Sequence, residues 1–204
     1  MKKHLFFAVI TASVIFSACS KDSDPAPVTP VAGEPKKGST WVFKNTYFDQ
    51  NGTVTNTENY TLIADTATLN GSVWLLLKET VSNQVLIGLQ KRTDGWWSLP
   101  LPNPNPSLWF KNPAAVGDQY NLTVNDNTVD LMKIVSINST LTVPAGTYTG
   151  CTFGQSYDSN SMEDEWYFTT AGPVLLRNGT FDDKIPAGTG IYEKERMELV
   201  SYTQ

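Results

Sequence analysis

The stretch Gln119–Ile137, QYNLTVNDNTVDLMKIVSI, decides the fold because its side chains alternate between apolar and polar. In its first half the alternating apolar residues are Tyr120, Leu122 and Val124. In its second half they share one face that only Lys133 interrupts: Val129, Leu131, Val135 and Ile137. A period of two is typical of half-buried β-strands. The turn signal Asp126-Asn127 separates the two strands that this pattern predicts.

The same period extends along most of the chain on both sides of this stretch. Val73–Leu77 is apolar on both faces and predicts a central, covered strand that follows the turn Asn70-Gly71. Tyr192–Val200 contains Glu and Lys residues but also alternates, which predicts a final strand rather than a helix. Turn signals are so frequent that they leave little room for helices. We therefore expect one all-β domain over residues 38–204, with about ten or eleven antiparallel strands arranged as a half-barrel, a barrel or a sandwich.

The composition argues against nucleic-acid binding and against histidine chemistry. The chain carries 15 Lys and Arg against 20 Asp and Glu, a formal charge of −5, whereas a nucleic-acid surface needs a basic patch. His4 is the only histidine, and its loss with an N-terminal signal would rule out a Ser-His-Asp triad or a His-ligated zinc. Cys151 has small and apolar neighbours, which predicts a buried structural cysteine. No catalytic residue, metal ion or cofactor is predicted.

The N-terminal segment has the features of an export signal. Residues 2–4 are basic and precede an apolar run, Leu5–Phe16, that is too short to span a bilayer. The tetrapeptide Phe16-Ser17-Ala18-Cys19 closes this run and resembles the bacterial lipobox. The resemblance implies a signal peptide over residues 1–18, and a diacylglyceryl thioether and an acylated amine on Cys19.

Lipidation of Cys19 would anchor the chain in the outer membrane, facing either the periplasm or the cell surface. Prolines recur among small and charged residues in the following segment, at Pro25, Pro27, Pro30 and Pro35. Proline-rich segments favour the extended polyproline II conformation. Residues 19–37, which begin with the lipidated cysteine, are therefore predicted to form a tether. Attachment would rest on the acyl chains, because an acidic domain is not drawn to anionic lipid.

An ordered series of motifs runs through the predicted domain. The series is Gly38-Ser39-Thr40-Trp41-Val42-Phe43, Val116-Gly117-Asp118, Val143-Pro144-Ala145-Gly146-Thr147-Tyr148, Glu165-Trp166-Tyr167-Phe168 and Gly172-Pro173-Val174. It resembles a family of Bacteroidota-type outer-membrane lipoproteins of unknown function, whose domain is distantly similar to the open barrels of the lipoprotein carriers LolA and LolB. The resemblance spans about Gly38 to Tyr202, and it implies a fold rather than an active site. A closed, lipocalin-like barrel is the alternative.

The segment Asp94–Phe110 has the most unusual local composition, with three tryptophans around a proline-rich loop. Its alternate prolines cannot all join a sheet ladder, so the loop is predicted to lie extended over a barrel mouth or a sheet face. If exposed, Trp96, Trp97 or Trp109 would offer a flat apolar surface for a sugar ring or a lipid, and these three are the predicted ligand-binding residues. In the alternative, Trp96 and Trp97 point to opposite faces, one into the core and one under the loop.

Carboxylates at Glu163-Asp164-Glu165 and at Asp182-Asp183 could approach each other across a hairpin. A glycosidase needs only such a pair, so a glycan-hydrolysing enzyme is one alternative function. The leading prediction is a lipid-anchored lipoprotein with a non-enzymatic binding or structural role. Its expected ligand is a glycan or an apolar small molecule, and a carrier of lipid or lipoprotein is the second alternative. The protein partners are not predicted.

Overall fold

The computed structural model describes residues 33–100, 105–123, 129–159, 161–185 and 190–204. Most of these residues belong to twelve β-strands: β1 Thr40–Phe48, β2 Val54–Leu69, β3 Ser72–Glu79, β4 Val85–Arg92, β5 Gly95–Pro100, β6 Ser107–Lys111, β7 Gln119–Thr123, β8 Val129–Val143, β9 Gly146–Asp158, β10 Ser161–Phe168, β11 Leu175–Asp183 and β12 Ile191–Thr203. Within the described ranges there is no helix of the length and apolarity needed to cross a membrane. The predicted signal segment and Cys19 lie outside the described residues.

The strands form one antiparallel sheet that curves into a nearly closed barrel. Its spatial order is β6-β5-β4-β3-β2-β1-β12-β11-β10-β9-β8-β7. Strands that follow each other in sequence are neighbours in both halves of this order, and the first strand pairs with the last. Thr40 of β1 lies opposite Thr203 of β12, and Tyr47 lies opposite Glu195. The predicted all-β antiparallel barrel is confirmed, with twelve strands among the described residues rather than ten or eleven.

Side chains close the seam between β6 and β7, the two ends of the sheet. The Tyr120 hydroxyl donates a hydrogen bond to the backbone oxygen of Trp109 at 3.1 Å. The backbone N–H of Thr123 donates to Oγ of Ser107 at 3.3 Å. These two hydrogen bonds join β6 to β7, whereas other neighbouring strands are joined by a ladder of backbone hydrogen bonds. Among the described residues, the nearly closed barrel therefore lacks a full backbone ladder at this seam.

Alternating side chains of the strands fill the barrel interior. On β1, Trp41 and Phe43 are buried while the intervening Val42 is only partly covered, as expected when successive side chains point to opposite faces. The buried apolar residues form one cluster that includes Leu62, Leu77, Leu89, Trp96, Phe110, Met132, Ile134, Phe168 and Leu199. Each such side chain contributes about 1.5–3 kcal/mol by leaving water. Cys151 belongs to the same cluster and is buried, as predicted.

Strand β8 turns an unexpected face inward. Its apolar residues Val129, Leu131, Val135 and Ile137 are exposed on the outside of the barrel. The alternate residues of its first half, Asp130, Met132 and Ile134, are buried instead. The strand is half-buried as its period predicts, but the apolar set that the sequence pattern picks out faces solvent.

We call the end of the barrel at which β1 begins the near end, and the opposite end the far end. A turn over residues 169–174 packs into the near end. Its Pro173 carbonyl accepts a hydrogen bond from Nε1 of Trp41 at 2.9 Å, and Val174 beside it is buried. Val174 has a φ of 67°, a left-handed conformation that β-branched residues rarely adopt. The turn is therefore held in place by its packing rather than by local preference.

Residues 33–37, which the sequence analysis assigned to the tether, lie against the near end, and we call them the strap. Glu34 is buried and forms an ion pair with Lys91 of β4. Its backbone oxygen accepts a hydrogen bond from Nε2 of Gln204 at 2.5 Å. The N–H of Lys36 donates to Oγ of Ser39 at 2.9 Å. Contacts with the barrel are therefore present from the strap onward.

The other two predicted strands lie within the described residues. Val73–Leu77 lies in β3, which is an internal strand of the sheet between β2 and β4. Tyr192–Val200 lies within β12, so the final strand is confirmed. Val124 and the turn Asp126-Asn127 lie outside the described residues.

Candidate functional site

A pocket of about 540 Å³ lies at the near end, between the strap and strands β2 to β5. We call it the mouth pocket. Val73, Leu75, Leu89 and Trp96 form its apolar wall, and Pro35 of the strap borders it. Leu75 lies opposite Leu89 in the β3–β4 ladder, so both side chains point to the same face of the sheet. Ligand pockets are typically about 300–1,000 Å³ and mostly apolar, and the mouth pocket has this size and lining.

Three lysines border the mouth pocket, and we call Lys36, Lys37 and Lys91 the lysine rim. The Nζ atom of Lys37 lies 2.9 Å from the carboxylate of Asp65. Lys91 pairs with the buried Glu34 of the strap. The pocket therefore combines an apolar wall with a cationic border.

A second cavity, of about 210 Å³, lies among inward-facing side chains, and we call it the inner cavity. Its lining is almost entirely apolar and includes Trp41, Phe43, Leu62, Leu77 and Leu175. Leu89 belongs to the walls of both the inner cavity and the mouth pocket. The two spaces are therefore close neighbours within the near half of the barrel.

Aromatic rings separate the inner cavity from a smaller cavity of about 100 Å³. Trp109 and Trp166 line both spaces, with ring centroids 6.3 Å apart and planes at 84°. Phe168 stacks on Phe110 with centroids 4.6 Å apart and planes at 8°. Edge-to-face and stacked rings of this kind add to the energy of burial, so this wall is well packed.

The three predicted ligand-binding tryptophans lie in three different places. Trp96 is only 1% exposed and forms part of the mouth pocket. Trp109 is 8% exposed and lines the inner cavity. Trp97 lies on the other face of β5, where its Nε1 donates to Asp94 at 2.9 Å and the Arg92 guanidinium lies 4.2 Å from its ring. The structure thus brings Trp96 and Trp109 into the interior, and the three rings do not form an exposed strip.

Carboxyl groups lie inside the far half of the barrel, and we call Asp130, Asp164 and Glu195 the carboxyl cluster. Asp130 is 3% exposed and Asp164 is 8% exposed. Asp164 accepts hydrogen bonds from Oγ1 of Thr180 at 2.8 Å and from Oγ of Ser156 at 3.2 Å. Burial raises the pKa of all three carboxyl groups, and the nearby charge of Asp164 raises the pKa of Asp130 further.

Of the two predicted carboxylate groups, Glu163 lies within electrostatic range of Asp182: burial raises the pKa of Glu163, and the charges of nearby carboxylates, including Asp182, raise it further. Asp164, Asp182 and Glu165 have separate partners. Asp164 is held inside the barrel, whereas Asp182 forms an exposed ion pair with Lys194 at 3.1 Å that lowers its pKa. Glu165 accepts a hydrogen bond from Nε2 of Gln155 at 3.2 Å. Among the described residues no group of three His, Cys, Asp or Glu side chains is arranged to hold a metal ion.

Sequence reasoning missed the lysine rim and Trp166. Lys36 and Lys37 are adjacent in an otherwise acidic chain, directly after Pro35, and this basic pair is the signal that could have pointed to them. Lys91 gives no such signal, because only the β4 register brings it to the mouth pocket. The proline-rich loop is described at Pro100 and from Asn105 onward, and its central residues lie outside the described ranges.

Comparisons of the chain with protein-family models, with curated proteins and with solved structures found no match. The candidate site therefore rests on the sequence and the geometry of this chain alone.

Proposed function

We propose that this chain is a lipid-anchored outer-membrane lipoprotein whose barrel binds a small apolar molecule in the mouth pocket, without chemical turnover. The observation that carries the proposal is the mouth pocket itself, a space of about 540 Å³ walled by Leu75, Leu89 and Trp96. An apolar molecule placed there removes its own surface and that of the wall from water, which is worth roughly 25 cal/mol per Å².

The proposed anchor is consistent with the position of the pocket. The lipobox-like tetrapeptide supports lipidation of Cys19, and the strap that follows it in sequence lies at the near end. A chain held at Cys19 therefore has the mouth pocket at the end of the barrel that leads to its anchor. A ligand that partitions into the membrane would reach this end first, which supports a carrier-like role more than a structural one.

The interior positions of Trp96 and Trp109 favour this function over glycan binding. A polysaccharide laid on a surface needs an exposed ring to stack on, and these two rings face inward. A glycosidase needs its two carboxyl groups beside a substrate cleft. Asp164 is buried between hydrogen-bond donors and Asp182 is neutralised by Lys194, so neither residue supports that reading.

Binding can be tested with N-phenyl-1-naphthylamine, a neutral apolar dye whose fluorescence rises when it leaves water. The chain from residue 20 onward, made without its lipid, keeps every residue that the structure describes. We expect a saturable rise in dye fluorescence. The variant Val73→Trp should weaken binding at least tenfold, because Val73 lies in the pocket wall yet is 62% exposed, so that a larger ring fills the space without disturbing the core.

The matched control is Val54→Trp, which adds the same ring at a 53% exposed valine of β2 that does not line the mouth pocket. It should bind the dye as the parent does. A parent chain with no saturable signal, or equal binding by both variants, would contradict the proposed function.

A further inference from the structure

The charges around the mouth pocket are unlike those of the chain as a whole. The chain is acidic, with a formal charge of −5. Three cations, the residues of the lysine rim, nevertheless meet at the pocket border, and Lys78 lies outside it, 2.9 Å from Asp65. Asp65 and Glu34 are the two carboxylates that face them in ion pairs. The border therefore carries more positive than negative charge.

Two of the rim lysines already serve the fold. Lys91 forms an ion pair with Glu34, whose carboxylate is buried, and removing one member of a buried ion pair destabilises a fold. Lys37 shares Asp65 with Lys78, and these two lysines hold the pKa of Asp65 well below its usual range.

Lys36 has a different position. It borders the mouth pocket and is exposed, and no carboxylate partner is recorded for it within the described ranges. Its backbone N–H donates a hydrogen bond to Ser39, which holds the base of the side chain beside the pocket and leaves the ammonium group within reach of the pocket border. An unneutralised ammonium beside an apolar wall attracts an anion that is attached to an apolar group.

We propose that the ligand of the mouth pocket is a single-chain amphiphile with an anionic head group. Its hydrocarbon tail lies on Leu75, Leu89 and Trp96, and its head group lies at the lysine rim next to Lys36. This inference rests on the proposed function, and it adds the chemical class of the ligand. A carboxylate and a phosphate ester both satisfy the geometry, whereas a neutral head group leaves the rim unused and a cationic one is repelled.

The test compares four molecules with one tail, as competitors that displace N-phenyl-1-naphthylamine from the chain beginning at residue 20. They are dodecanoate, dodecyl phosphate, dodecanol and dodecyltrimethylammonium, each used below its micelle concentration. We expect both anions to displace the dye at concentrations at least fivefold lower than the alcohol, and the cation to be weakest. The advantage of the anions should shrink in high salt, because exposed charges are screened. Dodecanoate and dodecyl phosphate together distinguish a free fatty acid from a phosphate-bearing lipid as the preferred source.

Charge reversal at Lys36 tests whether this residue attracts the anionic head group. Lys36→Glu should weaken dodecanoate about fivefold to thirtyfold, as expected for replacing an attraction of about 0.5–1 kcal/mol by a similar repulsion, and should leave dodecanol unchanged. Lys36→Gln should have a smaller effect in the same direction. Lys133→Glu makes the same change of net charge at an exposed site on the outer face of β8, and it should alter neither ligand.

The outcomes separate the two proposals. Dye binding with equal displacement by dodecanoate and dodecanol would overturn the anionic head group and leave the apolar pocket standing. Loss of dodecanoate affinity in Lys133→Glu as large as in Lys36→Glu would also overturn it, because net charge rather than the lysine rim would then be responsible. Absence of dye binding contradicts the proposed function, and the inference falls with it.

Discussion

The two halves of the barrel interior differ in what they contain: the mouth pocket lies among strands β2 to β5, and the carboxyl cluster lies among strands β8 to β12. In the near half, Leu75, Leu89 and Trp96 leave space beside an apolar wall. In the far half, Asp164 is surrounded by Ser156 and Thr180, which donate hydrogen bonds to it. Space that is lined by apolar side chains can accept an apolar molecule, whereas buried polar groups that are already paired gain nothing from one. The difference supports the near half as the place of the proposed ligand binding.

The near half should depend most on its aromatic cluster. Phe168 is fully buried and its ring contacts Phe110, Trp109 and Trp166. Phe168→Ala is expected to lower the free energy of unfolding by about 3–5 kcal/mol, because it removes a large buried ring and leaves a cavity. Chemical denaturation followed by circular dichroism measures this change.

The far-half counterpart of that variant is Ser156→Ala, which removes one hydroxyl from the carboxyl cluster. Its expected cost is about 1 kcal/mol, the usual value of a hydrogen bond. If Phe168→Ala and Ser156→Ala lowered the free energy of unfolding equally, the two halves would not differ in how they are stabilised.

The carboxyl cluster should make the far half sensitive to pH. Burial raises the pKa of Asp164, so its contribution to stability is complete below the ordinary carboxyl pKa of about 4 and is lost as the pH rises through the raised value. Asp164→Asn removes this titration. Relative to the parent, the variant should therefore become more stable as the pH rises from about 4 to about 8, and it should differ little at the acidic end.

Thermal unfolding at several pH values measures this difference. Asp182→Asn is the matched control at an exposed carboxylate whose pKa the Lys194 ion pair lowers, so its titration has the opposite sign. This variant should lose stability relative to the parent as the pH rises. If the difference in stability between Asp164→Asn and the parent were the same at every pH, the pKa of Asp164 would not be raised in the folded protein.

The smallest expected effect comes from filling the inner cavity. Leu77 lines this space, and Leu77→Phe should change the free energy of unfolding by no more than about 1 kcal/mol, because the added ring atoms enter an existing void. The comparison is Met132→Phe in the far half, where a Cβ added to Gly154 would lie 2.8 Å from Sδ of Met132. Overpacking at this tight site is expected to cost about 1–3 kcal/mol. Equal losses in the free energy of unfolding for Leu77→Phe and Met132→Phe would mean that the inner cavity has no room for the added ring atoms.

The fold class was accessible from the sequence because a period of two and frequent turn signals are local properties. Which face of each strand points into the barrel was not accessible from the sequence, as β8 shows. Its outer face carries Val129 and Leu131, while its inner face carries Asp130 and Met132. Both faces are partly apolar, and Ser156, which hydrogen-bonds to Asp130 inside the barrel, lies on the neighbouring strand β9. Alternation therefore predicts the strand, whereas the barrel as a whole decides which face is buried.

The candidate site was only partly accessible. Three aromatic residues close together in sequence drew attention to Trp96, Trp97 and Trp109, but alternation on β5 sends Trp96 and Trp97 to opposite faces. The lysine rim is assembled from the strap and β4, which are far apart in sequence. The Glu34–Lys91 ion pair that joins them is a tertiary contact without any local signal.

The pairing of the first strand with the last has a consequence for the order of events during synthesis. β1 gains its second ladder only from β12, whose 13 residues also complete the edge of β11. A chain that grows from its N-terminal end can assemble β1 to β6 as a local meander, since those contacts are short in sequence. It cannot close the barrel until β12 has been made. The contact that completes the barrel is therefore among the last to become available during synthesis.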